Sequence, residues 1–326
     1  MKYLSNPSTD PHYNMAFDEF CLDRLQADEP VFYLWQNRPS VIIGLNQNPF
    51  AEVDIPYMES RGILLARRVT GGGAVYHDLQ NLNYTITGRV RDLEQEYPEY
   101  LHTMVRALRT LGVPAELSGR NDILVEGRKY SGYAKRMFRD RLMIHGTLMW
   151  DVDIDTLTRV LSVPGSKLSA AGIASVRSRV ANLKDYLPQF ADIRAFRDAL
   201  QALLAAGDGE LPLSGEQRGA VGSDAAAKFR TWEWNYGHSP AAAFRVRRKF
   251  PCGTVEAGFS LVHGCIDGLR FSGDFLGNLP ADRIERVLQG CRYTREALGE
   301  TLEKAPVGAC FDKLVPSELV ALLLDA

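Results

Sequence analysis

Asp122-Ile-Leu-Val-Glu-Gly-Arg-Lys-Tyr-Ser-Gly-Tyr-Ala-Lys-Arg-Met-Phe-Arg-Asp-Arg-Leu-Met-Ile-His-Gly-Thr-Leu-Met-Trp150 is the stretch that decides the fold class. It divides into three strand-like runs, 122–125, 128–137 and 141–150, separated by Glu126-Gly127 and Arg139-Asp140. Turns that short join antiparallel strands, whereas parallel strands need a long crossover. With helical patterns on both sides, the chain reads as an α+β protein. A mixed, largely antiparallel sheet carries packed helices, unlike a doubly wound parallel sheet.

Toward the N terminus, Asn14 reads as the cap of a helix over 15–25, with Asp18 and Glu19 in its first turn and Cys21 in the core. Runs 31–35 and 41–44 read as strands joined by a hairpin at Asn37-Arg38-Pro39-Ser40. Pro49 opens a short helix reaching toward Glu59. After the strand-like run 63–66 comes Arg67-Arg-Val-Thr-Gly-Gly-Gly-Ala-Val-Tyr-His-Asp78, then an alternating strand over 82–87 and a helix over 100–111, ended by Gly112 and Pro114.

Toward the C terminus, 156–184 holds Arg159, Lys167, Arg177, Arg179 and Lys184 and no Asp or Glu. Its small-residue middle is either a solvated loop or a cover for an anionic ligand. Residues 207–227 are rich in Gly, Ala and Ser and read as a poorly structured excursion, followed by alternating Trp232, Trp234 and Tyr236. A three-strand meander over 244–250, 254–263 and 265–271 precedes helices near 280–289 (Ile284, Val287 and Leu288 inward), 295–303 and 316–324. A boundary near Pro240 divides a domain 1–240 from a smaller α+β domain 241–326.

The chain has 326 residues, 45% hydrophobic and 24% charged, with a net charge of −2, so a basic site must be local. No run is long and apolar enough to span a membrane, and Met1-Lys2-Tyr3-Leu4 begins no signal peptide. Cys21, Cys252, Cys265, Cys291 and Cys310 show no C-x-x-C spacing, which reads as free thiols in a reducing cytoplasm.

Four motifs are candidates for chemistry. Gly71-Gly72-Gly73 beside Arg67 and Arg68 is either a glycine turn with solvated arginines or a backbone cradle for a phosphate. Asn121-Asp122 at a strand entrance is turn chemistry, a reader of an adenine edge, or a Mg²⁺ ligand. Lys129, beside Ser131-Gly132, either points into the gap the glycine opens or is one more solvated lysine. His145-Gly146-Thr147 interrupts an apolar strand, where a bulge or close approach is expected. No nucleophile elbow, H-E-x-x-H, P-loop or dinucleotide fingerprint is present.

Taken in order, these motifs resemble the lipoate–protein ligase family. The resemblance rests on 67–78, Gly119-Arg-Asn-Asp122, Lys129-Tyr-Ser-Gly-Tyr-Ala134, His145-Gly-Thr147, Gly172-Ile-Ala-Ser-Val-Arg-Ser-Arg-Val-Ala-Asn-Leu183, Gly44 with Asn46-Gln-Asn-Pro49, and Trp232-Glu-Trp-Asn-Tyr-Gly237. It implies a biotin/lipoate ligase-like catalytic domain with a C-terminal accessory domain, ATP and lipoate as substrates, and Mg²⁺ with the ATP, near Asp122. Lipoyl-adenylate would form with release of pyrophosphate. A lysine of an E2 subunit or a glycine-cleavage H protein would then take the lipoyl group.

The resemblance implies nucleotide contacts by Arg68, Gly71, Gly72, Gly73, Ala74, Val75, Tyr76, Asn121 and Asp122. Lys129 would bridge lipoyl carbonyl and phosphate as the catalytic residue. Tyr76 and His145 would line the substrate slot, and His145 is a weak candidate for the base that deprotonates the amine. The basic loop would close over the adenylate, and the protein is expected to be monomeric. An octanoyl or lipoyl transferase working through a cysteine thioester is the rival reading, but no cysteine lies between Cys21 and Cys252. An amidotransferase using a preformed acyl donor shares the motifs.

Overall fold

A computed structural model describes residues 1–118, 122–161, 180–205 and 207–325. The chain forms two compact units. Residues 1–45, 57–161 and 180–231 make the first, and residues 46–56 and 232–325 fall in the second.

The strands of the first unit are β1 (Lys2–Tyr3), β2 (Val31–Trp35), β3 (Ser40–Ile43), β4 (Leu64–Arg67), β5 (Val75–His77), β6 (Asn81–Arg89), β7 (Ala115–Ser118), β8 (Asp122–Val125), β9 (Arg128–Phe138) and β10 (Arg141–Met149). Seven form one sheet in the order β1-β2-β6-β10-β9-β8-β7, antiparallel at every pairing except β1 with β2. A small mixed sheet has the order β4-β3-β5. The turns at 126–127 and 139–140 are as read, and Glu126, Gly127 and Arg139 take the positive φ that tight hairpins demand. The α+β class and the largely antiparallel sheet stand.

Strand alternation divides β6 into two faces. Leu82, Tyr84 and Ile86 join the core under helices Leu93–Thr110 and Ile193–Ala205, where Met104, Val105, Leu108, Phe196 and Leu200 are buried. Each such aliphatic side chain contributes about 1.5–3 kcal/mol by leaving water. Asn81, Asn83, Thr85 and Thr87 form the other face and are equally buried. Helix α1 (Pro11–Asp23) packs against β4, β6 and β10 on that side.

Several local expectations change. Asp10, not Asn14, caps α1: its carboxylate accepts from the His12 N–H, and Pro11 takes the first helical position. Asn14 is instead buried inside the helix. β2 and β3 do not form a hairpin, because they belong to different sheets and buried Asn37 ties the connection to Asn14 and His77. Pro49 opens a helix of one turn, Pro49–Glu52, and a second, Ile55–Arg61, follows it. The stretch expected to be poorly structured contains helix Gly215–Asp224, started by a capping box of Ser214 and Gln217.

In the second unit, β11 (Ala242–Phe250), β12 (Gly253–Val262) and β13 (Cys265–Phe275) form the expected meander. Val255, Ala257, Phe259 and Leu261 face a core completed by Ile284, Leu288, Leu298, Leu302 and Leu319. Val287, expected inward, is exposed, because Asp282–Leu288 turns only Ile284 and Leu288 to the sheet. Trp232 and Tyr236 stack one helical turn apart (5.9 Å), so the aromatic patch is helical, not strand-like.

Candidate active site

The site is built on one row of residues crossing the large sheet. Asp122 of β8 pairs with Gly132 of β9, whose N–H donates to Thr147 Oγ1 (3.2 Å) on β10. Thr147 pairs with Asn83 of β6, and Asn83 with Trp35 of β2. A cavity of about 120 Å³ lies over this row. Lys129, Gly132, Thr147, Asn83, Trp35 and His145 line it from the sheet, Met15 from α1, and Gly72, Gly73, Ala74, Val75 and His77 from the glycine loop and β5.

Lys129 reaches the cavity because β9 is bulged. The register between β8 and β9 shifts between Ile123 and Leu124, which leaves Tyr130 as the extra residue. Without the bulge, Lys129 and Gly132 would face opposite sides of the sheet. With it, the ammonium lies over Gly132, 3.0 Å from where a side chain there would begin. Nζ pairs with Asp122 Oδ1 at 2.7 Å, and both side chains are about one-third exposed. Lys129 is therefore held and open to a ligand.

The glycine loop stands on buried arginines, neither of them solvated. Arg68 Nη2 donates to the carbonyls of Gly71 (2.7 Å) and Gly73 (2.8 Å), Nη1 to that of Ile42 (3.0 Å), and Nε to Thr70 Oγ1 (3.0 Å). Arg67 Nη1 donates to the carbonyls of Gly44 (3.2 Å) and Leu45 (2.9 Å), and Arg136 Nη1 to that of Val69 (2.5 Å). Burial draws both Arg67 and Arg68 down to about 10, still charged at neutral pH. With the Gly71 and Gly73 carbonyls turned onto the Arg68 guanidinium, the N–H groups of Gly71, Gly72 and Gly73 have no acceptor among the described residues. Gly72 takes φ +99°, and its carbonyl lies 2.1 Å from where a side chain at Gly44 would begin, so both positions require glycine. The result is an exposed backbone cradle with positive charge behind it.

A buried hydrogen-bond chain anchors the loop to α1. His145 Nε2 meets Thr70 Oγ1 at 2.7 Å, and its Nδ1 meets Asp18 Oδ2 at 2.6 Å. Asp18 Oδ1 also accepts from Tyr33 (2.5 Å) and Thr85 (3.0 Å). Both ring nitrogens of His145 are engaged, so it has no free lone pair for an incoming amine. The sequence reading gave no role to Asp18, Asn83, or the hydroxyls of Thr70 and Thr147, although the last two lie inside quoted motifs. For Asn83 the available signal was the alternation of polar residues along β6.

Alternation along β5 turns Val75 and His77 to the cavity and the Tyr76 side chain away from it, toward Asp78, Asp153 and Tyr57. Tyr76, expected in the slot, thus presents backbone and not its ring to this side, and Val75 forms the wall there. Asn121 and most of the basic loop, 162–179, lie outside the described residues. Among the described residues no group of three or more His, Cys, Asp or Glu side chains is placed to hold a metal ion. Cys21 is fully buried, and burial near Asp18 drives its thiol well above the usual range, so it is no thiolate nucleophile.

His77 gives the unit an acid-labile element. Burial, with Arg68 and His145 nearby, lowers its pKa from 6.5 to about 3. Below pH 6.5 the unfolded chain gains a proton that the fold refuses, so stability falls by at most about 1.4 kcal/mol per pH unit on acidification. His12, also lowered by burial, adds in the same direction. Denaturant titrations at about pH 7 and about pH 5 should show a smaller loss for His77→Gln than for the wild type; equal losses would contradict the assignment.

The model of the lipoyl protein ligase A/B catalytic domain matches residues 10–205, and that of the bacterial lipoate protein ligase C-terminus matches residues 239–323. The chain is 37% identical over 328 residues to lipoate–protein ligase 1 of Staphylococcus aureus, covering 99% of this chain and 100% of that protein. A crystal structure of lipoate-protein ligase A bound with ATP superposes with a TM-score of 0.63 at 30% identity, over 73% of this chain and 98% of that one. Two Thermoplasma acidophilum structures are also similar. One, of a putative lipoate protein ligase with bound lipoic acid, has a TM-score of 0.62 at 28% identity, over 72% and 98% of the chains. The other comes from a study of a bipartite lipoate protein ligase and its E2 lipoyl domain, with a TM-score of 0.66 at 31% identity, over 73% and 96%. With a glycine cradle, a cavity-facing lysine and both family models matched in register, the chain belongs to the lipoate–protein ligase family.

Proposed function

We propose that the enzyme activates lipoate with ATP and transfers the lipoyl group to a specific lysine of a carrier domain. The observation that carries this reading is the Lys129 ammonium, aimed by a bulge into a cavity that the glycine cradle also lines. ATP-bound and lipoic-acid-bound relatives support both substrates. A lipoate carboxylate oxygen attacks the α-phosphorus of ATP and the bond to pyrophosphate breaks. The carrier amine then attacks the acyl carbon, the acyl–phosphate bond breaks and AMP leaves, while the amine loses its proton.

Lys129 touches both the acyl oxygen and the α-phosphate, stabilising the charge that develops on each. The N–H groups of Gly71, Gly72 and Gly73, with the Ala74–Tyr76 backbone, hold phosphate oxygens; Asp122 lies at the nucleotide. Arg68 acts through the loop, since its donors are committed to carbonyls. Val75, with Met15 and Trp35, walls the acyl slot; His145, held by Asp18 and Thr70, supports the cradle from beneath. Mg²⁺ would be held mainly by the ATP phosphates, with Asp122, whose Oδ1 pairs with Lys129, as the nearest carboxylate. Orientation and desolvation of the carrier lysine replace a dedicated base.

The carrier is a lipoyl domain of an E2 subunit or an H protein, a reading supported by the E2 lipoyl domain studied with the T. acidophilum ligase. Residues 1–240 form the catalytic domain and 241–326 the accessory domain of a monomeric cytoplasmic enzyme; no described helix is long and apolar enough to cross a membrane. The test is mass spectrometry of an apo lipoyl domain incubated with lipoate and the enzyme. One lipoyl adduct should form only when ATP and Mg²⁺ are supplied. Adduct formation from an acyl-carrier thioester without ATP would instead establish a transferase.

A further inference from the structure

Two donors in the cavity have no partner among the described residues. His77 is 3% exposed and Asn83 1%. A chain of amides fixes the His77 tautomer. Asn14 Nδ2 faces only acceptors: the carbonyls of Ser8 (3.1 Å) and Gln36 (3.0 Å) and Asn37 Oδ1 (2.7 Å). Asn37 therefore turns its Nδ2 to His77 Nδ1, 3.0 Å away. A neutral ring that accepts at Nδ1 carries its proton on Nε2. That Nε2–H has no acceptor among the described residues. Asn83 receives a hydrogen bond at Oδ1 from Asn81 Nδ2 (2.8 Å), and its own Nδ2 has no acceptor among them either. Native folds rarely leave buried donors unpaired, and here both belong to side chains that line the cavity.

Their depth follows from the sheet. Lys129 Nζ lies over Gly132 on β9, and Asn83 is on β6 with β10 between them. Two strand spacings separate them, about 10 Å. The inference rests on the proposed reading that lipoate enters with its carboxylate at Lys129. The pentanoyl arm then carries the dithiolane ring to the level of Asn83, His77 and Trp35, whose ring stands edge-on to His77 at 6.1 Å.

We propose that His77 Nε2–H and Asn83 Nδ2–H form a subsite for the dithiolane sulfurs, which makes the enzyme prefer lipoate to a saturated acid such as octanoate. Sulfur is a weak acceptor, so the preference is modest. A saturated chain gives the two donors nothing and leaves them buried and unpaired.

Calorimetry on the wild-type protein compares three acids: lipoate, octanoate and 5-cyclopentylpentanoate, the last being lipoate with each ring sulfur replaced by a methylene. Lipoate should bind about fivefold tighter than the carbocycle, with octanoate grouping with the carbocycle. Asn83→Leu, which keeps the branched side-chain skeleton and has no donor, should lose most of that ratio. Equal binding of lipoate and the carbocycle by the wild type overturns the subsite while leaving the lipoate reading intact. Binding of none of the three overturns both.

Discussion

Lys129→Ala should reduce lipoate-dependent activation and lipoyl transfer together, each by about two to three orders of magnitude, the loss seen when one preorganised donor is removed from a developing charge. The cause is positional as much as electrostatic. The bulge at Tyr130 places the ammonium over Gly132, and Asp122 holds it at 2.7 Å. Lys129→Arg should not rescue, because a planar guanidinium cannot occupy the compact space over Gly132 that the ammonium fills. Single-turnover assays that follow adenylate and amide separately check this. A variant that forms adenylate at the wild-type rate and fails only in transfer would show that Lys129 does not serve both steps.

Arg68→Lys should be nearly as damaging as Arg68→Ala. One ammonium cannot reach Ile42, Thr70, Gly71 and Gly73 at once, so buried carbonyls lose their donors. The expected loss is on the order of 3 kcal/mol in folding stability, with tenfold or weaker ATP affinity as the cradle relaxes. Thermal denaturation and nucleotide titration of the two variants measure it. A lysine variant that keeps wild-type stability and most of its ATP affinity would mean that Arg68 serves as a point charge toward the ligand, not as the loop's scaffold.

Much of this was legible in the residues. Glu126-Gly127 and Arg139-Asp140 gave the antiparallel ladder, because short turns allow little else, and the meander in the second unit followed from the same logic. What was not legible depends on long-range placement. The alternation over 82–87 marks two faces of β6 without saying what covers the polar one; α1 buries it, and only then do Asn83 and Thr85 become part of a site. Asp18 looked like a dipole-compensating residue of a helix end until the true cap at Asp10 moved it inward. The two arginines suggested charges facing a ligand. Their carbonyl partners lie in β3, the segment after it and the glycine loop itself, and no sequence spacing announces that geometry. Likewise, Lys129 was identifiable by its neighbours, while the bulge that aims it shows only in the register.

The most direct measurement of the central claim is exchange of labelled pyrophosphate into ATP by the purified enzyme with no carrier present. Adenylate formation is reversible, so exchange should appear when lipoate and Mg²⁺ are added and should vanish without lipoate. Lipoyl transfer to a carrier domain in the absence of any such exchange would contradict the account.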